Sequence, residues 1–242
     1  MAPDPIFADH RLAAIYDIVD PDRSDLDHYL ALATELGARS VLDIGCGTGT
    51  FACLLASRGF QVTAIDPAQA SLDVACAKPG ADQVRWICGY APTLHGFEVD
   101  LVTMTANVAQ VFLDDYEWLA TLHAAWANLV TGGHLVFETR RPEARAWERW
   151  RRELTEKDVT LPDGGYVHLW TELEEVTPPF VSFWHHYGFE PSDQNLSSRS
   201  VLRFRDRAEV EDSLRIAGFT PLEVREAPDR PGLEMVFVAR KV

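Results

Sequence analysis

The sequence predicts an α/β protein with a doubly wound, mostly parallel seven-stranded sheet and an antiparallel β insertion after the fifth strand. Three observations lead to this prediction. Short apolar runs alternate with helical stretches between residues 41 and 139, the pattern of a parallel sheet with helices on both faces. The first apolar run ends in glycines at alternate positions. Beyond residue 139 the alternation stops, and strand-like runs follow one another without helices between them.

The elements of the first half follow from local signals. Residues 1–40 predict a helical region, in which Ser24 or Asp25 caps a helix that Gly37 closes. Pro67 takes the first position of a later helix, where proline is favoured. Each apolar run has the length and composition of a strand buried on both faces. The predicted strands cover 41–44, 61–65, 84–88, 101–105 and 135–139, and the helices between them cover 51–57, 67–77 and 115–129.

The segment after Thr139 has a different organisation. Glycine-rich and proline-rich turns separate its apolar runs, and consecutive strands without crossover helices pair antiparallel. The prediction is a helix over 142–154, then three strands over 166–176, 180–190 and 198–205. A last helix over 206–217 and two strands over 220–226 and 234–240 complete the first sheet.

Composition restricts the possible partners. The formal net charge is −15 and the sequence pI is near 4.9. We therefore expect no nucleic acid partner, because phosphate contacts need Lys and Arg. Four cysteines without paired spacing predict reduced thiols in a cytoplasmic protein. No apolar run reaches the ~18 residues of a membrane span, so no membrane partner is expected.

The residues that carry the chemistry lie in the run Val41-Leu42-Asp43-Ile44-Gly45-Cys46-Gly47-Thr48-Gly49-Thr50. Glycines let the backbone turn sharply and let a ligand lie against the main chain. The second strand delivers Asp66 about twenty residues later, a spacing that suits a carboxylate bound to ribose hydroxyls. A dinucleotide fingerprint would read Gly-x-Gly-x-x-Gly, whereas this run reads Asp-x-Gly-x-Gly-x-Gly. Asp43 would repel a pyrophosphate but suits a ligand with a cationic end.

On these residues the chain resembles the class I S-adenosylmethionine-dependent methyltransferases, which have a Rossmann-like fold. The predicted fourth strand at 100–104 and the turn Gly132-Gly133 into the fifth also match. The resemblance implies S-adenosylmethionine as cofactor, a core over 1–140 and 206–242, and an insertion over 141–205 that roofs the substrate site. The cofactor-binding residues that it implies are Tyr16, Asp43, Gly45, Cys46, Gly47, Gly49, Thr50, Asp66, Pro67, Gly89, Tyr90, Ala91, Thr105, Ala106 and Asn107.

Several of these residues have a second interpretation. Asp66 is also placed to cap the following helix, Cys46 to fill a small-residue slot, and Asn107 to form a turn. Tyr90 departs from the pattern of many relatives, which have an acidic residue there, and its ring either stacks on adenine or packs against the protein. The arginines between 140 and 152 form either a solvated helix face or a site for a phosphate-bearing substrate.

His185 and His186 are the predicted catalytic residues, as candidates for a general base. Neighbours on a strand point to opposite faces, so these two cannot bind one metal ion, and no metal is predicted. We favour His185, because alternation places it with Phe183 and Tyr187, which suit the wall of an organic substrate. A base is needed only for a hydroxyl acceptor, since an amine needs only to be neutral. The alternative role for this run is an aromatic ladder between strands.

The predicted function is therefore S-adenosylmethionine-dependent methyl transfer to a small-molecule acceptor, as O- or N-methylation. One alternative is a catalytically silent S-adenosylmethionine-binding protein, because the glycine motif predicts binding rather than turnover. A nicotinamide-dependent oxidoreductase is a weaker alternative, which the glycine spacing and Asp43 disfavour. The sequence identifies neither the acceptor nor the oligomeric state.

Overall fold

The computed structural model describes residues 2–192 and 194–242, which form two β-sheets with helices around them. The larger sheet contains β1 (Ser40–Ile44), β2 (Gln61–Asp66), β3 (Val84–Cys88), β4 (Val99–Met104), β5 (Leu129–Arg140), β10 (Phe219–Glu226) and β11 (Glu234–Lys241). The smaller sheet contains β6 (Lys157–Thr160), β7 (Tyr166–Thr177), β8 (Phe180–Glu190) and β9 (Gln194–Arg203). The described helices are α1 (Pro5–Ala8), α2 (His10–Val19), α3 (Leu26–Glu35), α4 (Thr50–Ser57), α5 (Gln69–Cys76), α6 (Asp115–Asn128), α7 (Arg152–Thr155) and α8 (Arg207–Ile216).

The larger sheet has the strand order β10-β11-β5-β4-β1-β2-β3. Strands β1 to β5 pair in parallel, whereas β11 runs antiparallel to β5 and to β10. Val41 and Leu42 of β1 are fully buried, as expected for a strand covered on both faces. The strand order reverses between β1 and β4, and ligands of open α/β sheets bind at the carboxyl edge of such a point. The predicted mostly parallel, seven-stranded sheet is confirmed.

A hydrophobic core lies on each face of the larger sheet. On one face, Trp118 and Leu122 of α6 pack in a cluster with Leu214 of α8. On the other face, Leu26 of α3 and Leu55 of α4 belong to a second cluster. The sheet is therefore doubly wound, as predicted.

The N-terminal region is more divided than predicted. The expected helix is confirmed at Leu26–Glu35, and Gly37 follows it with a left-handed φ of +68°. Asp25 does not cap this helix, because its carboxylate instead accepts a hydrogen bond from Arg23 Nε at 3.1 Å. Two further helices precede it, and Asp9 caps the second by accepting from the Arg11 amide at 2.9 Å.

The smaller sheet is antiparallel throughout, in the order β6-β7-β8-β9. The three strands predicted after residue 160 are all present. Strand β6 escapes prediction because three of its four residues are exposed and only Val159 is apolar. An exposed edge strand of this kind has no apolar alternation to mark it.

The predicted helix over 142–154 is wrong. The segment forms two 3₁₀ turns, Pro142–Ala144 and Ala146–Arg149, followed by the short helix α7. Arg145 has a φ of +45°, which interrupts a right-handed helix. Tertiary packing explains the break. The Trp147 ring lies 4.7 Å from the Phe204 ring and the Trp150 ring 4.3 Å from the Phe183 ring, between centroids.

The smaller sheet lies at the carboxyl end of β4. Arg205 Nη1 donates to the Ala109 carbonyl at 3.4 Å, and Gln110 Nε2 donates to the Arg203 carbonyl at 3.5 Å. The N-terminal helices also contact this sheet, since the Ile6 amide donates to Ser198 Oγ at 2.9 Å. That this sheet roofs the substrate site stays a prediction. The division into a core over 1–140 and 206–242 and an insertion over 141–205 stays a prediction.

Within the described ranges, no helix is long and apolar enough to cross a membrane. The four cysteines carry free thiols.

The stacked pair Phe137 and Phe237 tests the core. Their rings join β5 to β11 at 5.2 Å between centroids, and both side chains are at most 1% exposed. Phe237→Ala should lower the free energy of unfolding by about 3–5 kcal/mol, because it leaves a cavity in a close-packed interior. Denaturant unfolding measures this loss. Tyr116→Ala, at a side chain that is 83% exposed, is the control and should change stability by less than about 0.5 kcal/mol. Equal losses of unfolding free energy in the two variants would contradict the described packing.

Candidate active site

The glycine-rich turn directly follows β1 and is built from left-handed residues. Gly45, Gly47 and Gly49 have φ values of +73°, +53° and +76°. A Cβ on Gly45 would lie 2.7 Å from Val108, and one on Gly49 would lie 2.8 Å from Ala75. A Cβ on Gly47 would meet no atom within 4 Å. The outer two glycines are therefore needed for packing, while the middle one faces open space.

Asp66 ties this turn to the end of β2. Its Oδ2 accepts from the Gly47 amide and its Oδ1 from the Ala68 amide, each at 2.8 Å. The residue is 7% exposed, and burial raises the pKa of its carboxyl. The bond to Ala68 is an Asx turn, which delays the helix, so α5 begins at Gln69 and the predicted position of Pro67 inside it is wrong.

Asp43 is the second buried carboxylate of the turn. It is 1% exposed, and its Oδ1 accepts from Thr103 Oγ1 at 2.8 Å. Its Oδ2 is buried without a hydrogen-bond partner among the described residues. Burial raises the pKa of Asp43 to about 7, the hydrogen bond from Thr103 opposes this, and the charge of Asp66 adds to it. A buried carboxylate with one bare oxygen suits a cationic ligand group.

A polar latch fastens α2 to the glycine-rich turn. Thr48 Oγ1 donates to Asp17 Oδ1 at 2.7 Å, and Lys78 Nζ lies 2.7 Å from Asp17 Oδ2. Lys78 Nζ also donates to Thr50 Oγ1 at 2.7 Å, so the Thr50 hydroxyl faces this latch. Tyr16, on the same helix, packs in a cluster with Val167 and Tyr187 of the smaller sheet. Sequence reasoning identified neither Asp17 nor Lys78, because no local pattern connects them to the turn.

The segment after β3 lies against Asp66. The Gly89 amide donates to the Asp66 carbonyl at 3.0 Å, the Tyr90 side chain is 44% exposed, and Ala91 is buried. Cys46 packs partly buried against the α3–α4 cluster, and burial raises the pKa of its thiol well above the ordinary value. This environment fits the small-residue interpretation of Cys46.

The segment after β4 is held by two glutamates that sequence reasoning missed. Asn107 donates through its amide to Glu138 Oε1 at 2.7 Å and through Nδ2 to Glu234 Oε1 at 3.0 Å. Thr105 is 7% exposed, and Ala106 and Asn107 both have left-handed backbones. The turn-forming interpretation of Asn107 is therefore correct. A glutamate inside the apolar run of β5 was the available signal.

The two predicted catalytic histidines lie on opposite faces of β8, as alternation requires. His185 Nδ1 lies 3.0 Å from Thr171 Oγ1 on the inner face, between the rings of Phe183 and Tyr187. Burial lowers the pKa of His185 to about 4, so the ring is neutral at pH 6 and above. His186 lies on the outer face and stacks on Trp170, with its Nδ1 2.9 Å from Ser197 Oγ.

The outer face of the smaller sheet carries two shallow depressions of about 410 and 350 Å³. His186 and Trp184 line one, and His168 and Trp170 line the other. No residue of the glycine-rich turn lines either depression, so they do not mark the cofactor site. In the part of the chain that the structure describes, no group of three or more His, Cys, Asp or Glu side chains is arranged to hold a metal ion.

Comparison with known proteins finds similarity to methyltransferases. A family model described as "Methyltransferase domain" matches residues 41–133. A Geobacillus sp. (strain WCH70) protein, itself only provisionally assigned as a methyltransferase, is 28% identical over 216 residues, 85% of each chain. The cypemycin N-terminal methyltransferase of Streptomyces sp is 31% identical over 134 residues, 54% of this chain and 55% of its own. The sugar N-methyltransferase KedS8 from Streptoalloteichus sp ATCC 53650 superposes with a TM-score of 0.80 at 19% identity, covering 93% and 92% of the two chains.

The fold, the glycine-rich turn and these similarities agree. Residues 41–133 match the methyltransferase-domain model, and the chain is similar in sequence and fold to S-adenosylmethionine-dependent methyltransferases. The predicted cofactor is S-adenosylmethionine, and similar solved structures contain S-adenosylmethionine or S-adenosylhomocysteine. The roles of the individual predicted residues stay predictions.

The buried Asp43 carboxyl predicts a pH dependence of stability. Its pKa in the folded chain is about 7, above its ordinary value of 3.8. Its contribution is therefore fully present below about pH 4 and is lost as the pH rises through about 7. Between pH 5 and 8 the wild type should lose about 2.5 kcal/mol more unfolding free energy than Asp43→Asn. Urea unfolding across this range measures the difference, with Asp82→Asn, at an exposed position, as control. If the unfolding free energies of the wild type and Asp43→Asn change equally with pH, the assigned burial of Asp43 is contradicted.

Proposed function

We propose that this protein transfers a methyl group from S-adenosylmethionine to an amine nitrogen of a small molecule. The single observation that carries the choice of cofactor is the turn after β1, where Gly47 faces open space between two buried carboxylates. The choice of an amine rather than a hydroxyl depends on the pKa of His185 and on the face of β8 on which His186 lies.

The residues present fit the cofactor at two points. Asp66 already accepts two amides, yet each of its carboxylate oxygens keeps a lone pair for a ribose hydroxyl. Asp43 offers its unpartnered Oδ2 to the ammonium end of the cofactor, directly or through water. Gly47 allows the ligand to lie against the main chain, because no side chain stands there. When bound, S-adenosylmethionine supplies a methyl group activated by its sulfonium, so the reactivity resides in the cofactor.

The chain's own contribution is then positioning and the exclusion of water. Aromatic side chains of the segment 141–205 contact the carboxyl end of β5, where the guanidinium of Arg140 lies 5.7 Å from the centre of the Trp150 ring. Trp150 in turn contacts Phe183 on the inner face of β8. The His185 ring lies between Phe183 and Tyr187, and Tyr187 shares a cluster with Tyr16. Aromatic side chains of this kind suit contact with an organic acceptor.

An amine acceptor fits the described titratable groups better than a hydroxyl. A hydroxyl must lose its proton as the methyl arrives, and a base with a pKa near neutrality does this best. His185 is on the correct face, but burial lowers its pKa to about 4. His186 lies on the opposite face. A neutral amine needs no base before transfer. The names of two similar proteins, the cypemycin N-terminal methyltransferase and the sugar N-methyltransferase KedS8, point the same way.

Calorimetry tests the cofactor. S-adenosylmethionine and S-adenosylhomocysteine should bind with micromolar affinity, and NAD should not bind. Asp66→Ala should weaken binding by about 1.5–3 kcal/mol, the loss expected for hydrogen bonds to a charged group. Asp73→Ala, at an exposed carboxylate on α5, is the matched control and should bind like the wild type. Tight NAD binding, or indifference to Asp66→Ala, would remove the basis of the proposal.

Methyl transfer tests the acceptor. A panel of small amines and matched alcohols is incubated with tritiated S-adenosylmethionine from pH 6 to 9. We expect label only in amines, a rate that rises with pH as the amine loses its proton, and the same pH profile in His185→Ala and His186→Ala. Labelled alcohols whose methylation disappears in His185→Ala would instead support the general-base hypothesis. Cofactor binding without transfer to any member of the panel would favour the silent binding protein.

A further inference from the structure

The segment after β4 contains two successive residues in a strained conformation. Ala106 has a φ of +58° and Asn107 a φ of +61°. Asparagine tolerates the left-handed region, but for alanine it is strained, because Cβ crowds the following carbonyl. Such a conformation persists only when surrounding contacts hold it in place.

The contact that holds the turn at its backbone comes from Glu138. Its Oε1 accepts from the Asn107 amide at 2.7 Å, and the residue has no exposed surface. Glu234, which is 1% exposed, holds the Asn107 side chain at 3.0 Å. Glu138 lies on β5 and Glu234 on β11, so side chains of two neighbouring strands accept hydrogen bonds from Asn107.

The two glutamates differ in their own support. Glu234 Oε1 lies 3.0 Å from Arg230 Nη1 and 3.8 Å from Arg140 Nε. No ion pair within 4 Å reaches Glu138 among the described residues, although the Tyr29 hydroxyl and the more distant charge of Arg230 favour its ionised form. Burial outweighs them and raises the pKa of Glu138 to about 7. A carboxylate buried without an ion-pair partner is a poor device for stability alone, since apolar replacements of buried charges are often neutral or stabilising.

The turn is also wedged against the glycine-rich turn. Val108, the next residue, packs so close to Gly45 that a Cβ there would lie 2.7 Å from it. On its other side Arg205 Nη1 donates to the Ala109 carbonyl at 3.4 Å. A displacement of Asn107 would therefore be passed to Val108 and to the first glycine of the cofactor site.

From these contacts we infer that Glu138 is a positioning residue of the methyltransferase site, which fixes the Ala106–Asn107 turn through the Asn107 amide. The turn then sets the place of Val108 against Gly45 and shapes the gap between cofactor and acceptor. The effect on this gap depends on the proposed function, because it assigns the gap to methyl transfer. The hydrogen bond by which Glu138 fixes the turn does not depend on the proposed function.

Three substitutions of Glu138 distinguish the effect of side-chain length from the effect of the negative charge. Glu138→Gln keeps an oxygen within reach of the Asn107 amide but removes the charge. Glu138→Asp keeps the charge but is one methylene too short, and Glu138→Met removes both. Asp100→Asn is the matched control, because Asp100 accepts from the Arg39 and Ser40 amides at 2.9 and 3.0 Å at the opposite end of the sheet. Each variant is measured for S-adenosylhomocysteine affinity by calorimetry and for amide hydrogen exchange of Asn107.

We expect Glu138→Gln to bind S-adenosylhomocysteine within threefold of the wild type and to keep the Asn107 amide protected. Glu138→Asp and Glu138→Met should bind at least tenfold more weakly, with at least tenfold faster exchange at Asn107. Asp100→Asn should match the wild type in both measurements. If Glu138→Met does not fold, the comparison of Gln with Asp still decides.

Ala106→Gly provides a further test, because glycine adopts the left-handed region without strain. In the Ala106→Gly background the loss caused by Glu138→Asp should be at least threefold smaller, which a merely structural role would not produce. Wild-type affinity in Glu138→Asp, or equal losses in Gln and Met, would overturn the inference. Failure of the wild type to bind S-adenosylhomocysteine would instead overturn the proposed function, and the exchange measurement would still test the role of Glu138.

Discussion

The hydrogen bond from the Gly47 amide to the Asp66 carboxylate is the constraint on which the site depends. One oxygen of this buried group holds the turn after β1, and the other holds the chain that leaves β2. A buried carboxylate is costly when it lacks hydrogen-bond donors. Movement of either segment would remove one donor and leave an oxygen of Asp66 buried without that partner. The packing of Val108 on Gly45 and of Ala75 on Gly49 follows from the place that this bond gives to the turn.

The site is held from three further directions. Asp17 on α2 binds the turn through Thr48, Arg205 next to the smaller sheet binds the segment after β4, and Glu138 binds it from within the larger sheet. These contacts come from parts of the chain that are remote in sequence. The positions of the glycine-rich turn and of the segment after β4 are therefore set by side chains that the rest of the structure holds in place. A reaction whose rate depends on the alignment of the reacting atoms requires such fixed positions.

Much of the fold could be predicted because its signals are local. The first three strands are short runs that end in an acidic residue or are followed by a glycine, and the spacing from the glycines to Asp66 lies within one β–α–β unit. The error over 142–154 has the opposite origin. Trp147 and Trp150 have helical spacing, but their rings pack on Phe204 and Phe183, and tertiary contact overrides the local preference.

The same distinction applies to the site. Its predicted residues on the glycine-rich turn lie together because they are nearly consecutive. The residues that support them, such as Asp17, Lys78 and Glu234, escaped prediction because no pattern connects them in sequence to the turn. Glu138 was visible as a charge among apolar neighbours, but its partner Asn107 becomes evident only when β4 and β5 are placed side by side.

The position of β11 has a consequence for synthesis. This strand fills the gap between β5 and β10, and it pairs Phe237 with Phe137, which lies about a hundred residues earlier. While the chain leaves the ribosome, β5 emerges long before its partner and has a long unpaired edge, a template for pairing with other chains. The pairing of β11 therefore covers this edge of β5 and delivers Glu234 to Asn107 in one event.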